Sequence, residues 1–177
     1  MTPSLCLVMA EYNHWMNRRI FEVAAKLSDD KLFEDRGAFF GSVFNTLNHI
    51  AVADLMWLNR FAQLRRLNGV DAALSSLPSP TTLTQPLAAT LVELGELRTK
   101  VDQAILSLAK SVTTEHLAET LHYSNTAGQK QAKNFGLLLQ HFFNHQTHHR
   151  GQVSTLLFQA GVDIGVTDLN ALIPSVA

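Results

Sequence analysis

Four long segments of this chain carry apolar residues at steps of three and four, the spacing that lays one face along a helix. The first covers about 4–27, with Leu5, Met9, Tyr12, Met16, Ile20, Val23 and Leu27 in register. The second starts at Ser42, a good N-cap, and runs through Val43, Leu47, Ile50, Met56, Trp57 and Phe61 to about Leu67, where Asn68-Gly69 stops it. Pro86 suits the first position of the third, which continues through Leu87, Leu91, Leu94, Val101, Ile105 and Leu108 to about Lys110. Asn134 caps the fourth, which ends at Gly161. Four amphipathic helices without a substantial sheet imply an all-α four-helix bundle. One short β-hairpin is expected near 119–133, where two polar runs flank Asn125-Thr126-Ala127-Gly128. The tail from Val162 reads as mostly irregular. The links are about 14–23 residues long, so consecutive helices need not be neighbours in the bundle.

A chain of 177 residues is most simply one domain, spanning 1–177, and at that size it buries about 70% of its unfolded surface. It is 46% hydrophobic and only 16% charged, with a net charge of −1. Arg18-Arg19 and Arg65-Arg66 are the only adjacent basic pairs, and each reads as solvated helix face, so no nucleic-acid footprint is present. Cys6 is the sole cysteine, which rules out an intrachain disulfide and makes the cytoplasm the expected compartment. The amino terminus does not read as a signal peptide, and no uncharged apolar run is long enough to span a membrane. Sparse surface charge with abundant apolar residues leads us to expect a homodimer.

The fourth segment carries an anomaly. His141, His145, His148 and His149 fall within nine residues, among Leu137, Leu138, Leu139, Phe142, Phe143, Val153, Leu156 and Leu157. His145 and His149 are one helical turn apart on one face, and His141 and Gln152 extend the same stripe. Such a polar seam is expensive to bury without a partner. Two imidazoles so placed can converge on one divalent cation, with nitrogen–metal bonds of about 2 Å. Hydrogen-bonded core histidines, or a surface stripe titrating near neutrality, are the alternatives. An open metal site needs three protein ligands. Of the remaining histidines, His14 lies in a Trp- and Arg-containing stretch, His116 reads as exposed and His122 belongs to the hairpin. His49 stands on the second helix amid Leu47, Ile50 and Val52, where an unpaired imidazole is hard to bury, and is the best third candidate on spacing.

Tyr12-Asn13-His14-Trp15-Met16-Asn17, Leu47-Asn48-His49-Ile50 and His145-x-x-x-His149-Arg150-Gly151-Gln152 together resemble the DinB family, part of the DinB/YfiT-like superfamily. The tail Gly161-Val162-Asp163 with Thr167-Asp168-Leu169 is similar too, so the likeness spans nearly the whole chain. The resemblance implies a four-helix bundle whose divalent metal is held by one histidine of helix two and two of helix four. Position by position these are His49, His145 and His149, with His148 a non-ligand and His141 without a ligand counterpart. On bare geometry His141 with His145 would serve as well as His145 with His149. The family name refers to damage-inducible genes and implies no DNA binding.

Three neutral imidazoles leave a bound ion its double charge and an open position, where it can polarise an oxygen or acidify a water or thiol. Zinc or nickel is the expected metal, with manganese the next choice. The expected function is metal-dependent catalysis on a small molecule, either transfer using a low-molecular-weight thiol, as relatives in the superfamily imply, or hydrolysis. The alternative is a non-enzymatic bundle stapled by its metal. A zincin-type protease is excluded, because Gln146 stands where His-Glu-x-x-His enzymes need a general base and an amide cannot take a proton. Glu11, Asp54 and Glu93 are other carboxylates; Asp54 reads either as an anchor for an imidazole N–H or as an ordinary exposed carboxylate, the latter favoured. Arg150 points away from the His145 side and reads as a structural anchor, while Gln152 is placed to orient His149. Tyr12, Trp15 and Trp57 could line a pocket but fit the core better.

Overall fold

The computed structural model describes residues 1–64, 67 and 73–175. Arg65-Arg66 and the helix stop at Asn68-Gly69 lie outside the described residues. Within them the order is α1 (Pro3–Ala24), α2 (Asp29–Phe33), α3 (Val43–Phe61), α4 (Leu91–Ser111), α5 (Thr114–Ala118), β1 (Thr120–Ser124), β2 (Lys130–Asn134) and α6 (Phe135–Gln159). A 3-10 turn, Leu169–Leu172, follows in the tail. The four long helices stand close to their sequence-derived positions, and α2 and α5 are short additions that five-residue segments leave no periodicity to reveal. The hairpin pairs Thr120 with Asn134 and Ser124 with Lys130, two antiparallel strands immediately before the last long helix. No described helix is long and apolar enough to cross a membrane.

The third helix begins five residues later than Pro86 led us to expect, and the reason is local. Thr90 Oγ1 accepts from Glu93 N–H, while the Glu93 carboxylate accepts from Thr90 N–H. This reciprocal box satisfies helix-end donors and contributes about 1 kcal/mol. Leu87 N–H is meanwhile drawn off to Asn48 Oδ1 on α3, so the chain after Pro86 serves as a strap rather than a helix turn. At the same end of the bundle, Gly161 closes α6 in the left-handed conformation at φ 92°, where a side chain would be strained.

Packing joins α1 to α4 and α6, and α3 to α4 and α6, so sequence-consecutive α1 and α3 sit on a diagonal. The core is divided into two. One half gathers Cys6 and Ala10 with Leu55, Leu58, Phe61, Val101, Ile105, Leu108, Phe135, Leu139 and Phe142. The other gathers Met16, Ile20, Val43, Leu47, Ile50, Leu94, Val153 and Leu157. Thus α1 and α6 run from the first half to the second, while α3 and α4 run the opposite way. Parallel α3 and α4 require a connection that returns along the bundle, which is why the link between them is long.

Between the halves lies a buried polar layer. Arg98 donates to Asp54 Oδ2 at 2.6 Å and sits 2.9 Å from Asp102 Oδ1, which also accepts from Asn17 Nδ2 at 2.9 Å. Arg150 donates to Asn13 Oδ1 and, at 3.2 Å, to Thr147 Oγ1, with its guanidinium over the Tyr12 ring. Two guanidinium groups and two carboxylates balance one another. Burial works against the charge on Arg98, but Asp102 and Asp54 together hold its pKa above the usual value. Asp54 is fully buried, which corrects the reading of it as exposed: as the α3 member of this layer it can be buried because Arg98 neutralises it. Arg150 is a structural anchor, as its place on the helical wheel indicates.

Candidate metal centre

The structure brings His49, His145 and His149 together at the edge of the polar layer, where α3 faces α6. One ring nitrogen from each lies within 4.8 Å of the other two. The His145 and His149 Nε2 atoms are 3.1 Å apart, near the roughly 3.3 Å that two nitrogens adopt around a tetrahedral ion with bonds of about 2 Å. His141 is outside this group. It is exposed and turns its ring edge to Trp57 at 5.3 Å, so of the two geometric pairings the chain assembles the one with His149. The seam is therefore not buried along its whole length, because its first turn opens to solvent.

Two hydrogen bonds decide which nitrogen each ring offers. His49 Nδ1 lies 3.1 Å from the Leu83 carbonyl, which can only accept, so Nδ1 carries the proton and Nε2 keeps its lone pair. Leu83 is held there by the strap: Asn48 Nδ2 donates to the Gln85 carbonyl and Asn48 Oδ1 accepts from Leu87 N–H, each at 2.9 Å. His149 Nδ1 donates to Gln152 Oε1 at 2.8 Å, leaving its Nε2 bare toward His145. A proton on His145 Nε2, or a cation shared by both nitrogens, satisfies the 3.1 Å contact, and two bare lone pairs would repel. Anchoring of the far ring nitrogen by a carbonyl or amide oxygen is the usual support of a metal-ligating histidine. The donor set fits a divalent ion.

Burial lowers the pKa of all three histidines, and for His145, with His149 and His49 adding to the effect, down to about 3. The imidazoles are neutral at pH 7, the form that ligates. Between the ordinary value of 6.5 and the depressed one, the unfolded chain binds more protons than the folded one, so stability rises with pH. Protein stripped of metal is expected to lose urea resistance steadily from pH 6.5 towards pH 4, and a midpoint unchanged over that range would contradict this burial.

Phe40 stacks on His49 at 3.8 Å and meets His149 edge-on at 5.6 Å, walling one side of the group. A cavity of about 280 Å³ lies on this side, lined by Phe39, Phe40, Asn45, Asn48, His49 and Thr84. Sequence reading missed Phe40 and Leu83. The pair Phe39-Phe40 between Gly37 and Gly41 is a legible oddity in a polar link, whereas the Leu83 contribution is a backbone carbonyl that no side-chain pattern announces.

The other candidates lie elsewhere. His148 is exposed, and Gln152 Nε2 reaches it at 3.5 Å. His14 faces Asp102, and His122 is exposed on β1. His116 is buried rather than exposed, because its ring accepts from Thr113 N–H and caps α5. Glu11 and Glu93 lie on the surface and Asp54 is paired with Arg98 in the polar layer, so none of these carboxylates joins the group; Gln146 is wholly buried. Tyr12 and Trp15 lie apart from it: Tyr12 pins the tail through the Thr167 carbonyl, and Trp15 lies under Arg19.

Fold and site define a helical-bundle protein with a three-histidine group that could hold a divalent metal. The family model of the DinB family matches residues 1–175, and the chain belongs to that family. It is 27% identical over 158 residues to Protein DinB of Bacillus subtilis strain 168, covering 89% of this chain and 87% of that one. No solved structure matches it.

Proposed function

We propose that this protein is a metal-dependent enzyme acting on a small molecule, with His49, His145 and His149 as the ligands of one zinc or nickel ion. The chemistry is transfer to an electrophile from a low-molecular-weight thiol, or hydrolysis. The observation that carries the reading is the donor count: among the described residues the group holds three histidines and no fourth His, Cys, Asp or Glu. A closed structural site takes four protein ligands, so three favour a reactive centre over a staple. A divalent ion there supplies positive charge that favours the ionised form of a thiol or water. The chain's own part is to fix the imidazoles through Leu83 and Gln152, and to pack Phe40 against the His49 and His149 rings.

The test is a screen of purified protein loaded with zinc, nickel or manganese, offered small thiols with an electrophile, and esters for hydrolysis. Turnover that depends on metal and disappears in His145→Ala is expected. Metal binding with no turnover across the panel would leave the non-enzymatic bundle as the better account. The protein acts in the cytoplasm, on this reading, and as a homodimer. Exposed Phe39, Val92, Leu137 and Phe158 supply apolar surface for such an assembly. Sedimentation showing only monomer at high micromolar concentration would refute the dimer.

A further inference from the structure

One turn before His145 on α6, His141 borders a cavity of about 450 Å³ between the end of α3, the hairpin and the start of α6. That volume suits a small molecule. Trp57, Tyr123, Leu137 and Leu138 form its apolar walls, with Lys133 also lining it. Trp57 and Tyr123 stand 5.5 Å apart, and the Arg60 guanidinium lies over both rings, at 4.6 and 5.3 Å. Asn134 also lines the cavity, but its side chain is spent, accepting from Leu137 N–H and donating to the Leu117 carbonyl.

The charge here is one-sided. Among the described residues neither Arg60 nor Lys133 is ion-paired with a carboxylate. The positive charge at the cleft comes from Lys133 in its lining and from Arg60, whose guanidinium covers the Trp57 and Tyr123 rings. An arginine stacked on aromatic rings keeps its fork of N–H donors free for a planar anion, and aromatic faces favour a flat partner.

We propose that this cleft binds a small aromatic carboxylate, its ring against Trp57 and Tyr123 and its carboxylate on Arg60 and Lys133, as the substrate subsite of the histidine centre. His141, which lines the cleft, is the link to the trio: its ring lies 6.1 Å from that of His145, one helical turn on, while His49, His145 and His149 themselves stand outside the cleft lining. The role as subsite rests on the metal-dependent reading, whereas the recognition chemistry stands on the cleft alone.

Calorimetric titration of the zinc-loaded protein with naphthoate and with neutral naphthamide tests it. Naphthoate is expected to bind roughly tenfold more tightly, the worth of a charge-assisted hydrogen bond. The preference is expected to fall in Lys133→Gln, at an exposed position outside the core, and to vanish in Arg60→Gln/Lys133→Gln of native circular dichroism. Equal binding of acid and amide, or a preference surviving the double substitution, would overturn the proposal. So would a preference lost when a chelator strips the metal, since the carboxylate would then sit on the ion. Wild-type protein that takes up no metal yet keeps the tenfold ratio would overturn the subsite role and, separately, the metal reading.

Discussion

Replacing His49, His145 or His149 with alanine is expected to lower affinity for zinc or nickel by more than about 100-fold, because changing a group that merely supports a ligand already costs about 10–100-fold. Gln152→Ala is the internal gauge of that scale. It removes the acceptor of the His149 Nδ1 proton without removing a donor, so it should fall within the 10–100-fold range. His141→Ala should leave affinity within about twofold, since His141 keeps to the Trp57 cleft and supplies no nitrogen to the group. Metal content by atomic emission, with chelator competition for affinity, separates these cases. Metal retained in His149→Ala but lost in His141→Ala would move the centre by one helical turn and refute the assignment.

Arg98→Met is expected to destabilise the protein by about 3–5 kcal/mol at neutral pH, the cost of leaving a buried charge without its partner. Two carboxylates depend on this one guanidinium. Asp54 Oδ2 accepts from it at 2.6 Å, and Asp102 retains only the amides of Asn13 and Asn17 and the His14 ring once it is gone. Adding Asp102→Asn should recover part of the loss, because it leaves one guanidinium, Arg150, facing one carboxylate, Asp54, and restores the charge balance of the layer. Urea denaturation of the single and double variants decides the matter. A single variant within 1 kcal/mol of wild type would mean that the layer is wet enough to screen its own charges.

Much of the fold was legible because helix periodicity is a local property. Apolar residues three and four apart declare a face wherever it packs, and caps such as Ser42 and Asn134 mark their own helix starts, each accepting from a backbone N–H three residues on. Pro86 misled because proline tolerates the first turn of a helix without requiring one. The choice between turn and helix fell to Asn48, thirty-nine residues away in sequence, and to the Thr90 box.

The candidate site divides along the same line. His145 and His149 share a face by virtue of helical geometry alone, so the sequence by itself determined that two imidazoles meet; it also offered His49 as the best third candidate, which the family likeness then assigned. Burial could not be read the same way. Asp54 and His116 resemble surface residues in any local window, and each is buried because a partner satisfies it, Arg98 on another helix for the first and the Thr113 backbone for the second. Only the tertiary structure decided that His141 belongs to a cleft instead of the trio, and that Leu83 and Gln152 fix which nitrogens face inward. It alone divided one apolar core into two halves around a charged layer. The physical reason is that hydrogen-bond partners and desolvation depend on which helices become neighbours, and here the diagonal placement of α1 and α3 and the long return to α4 set those neighbours.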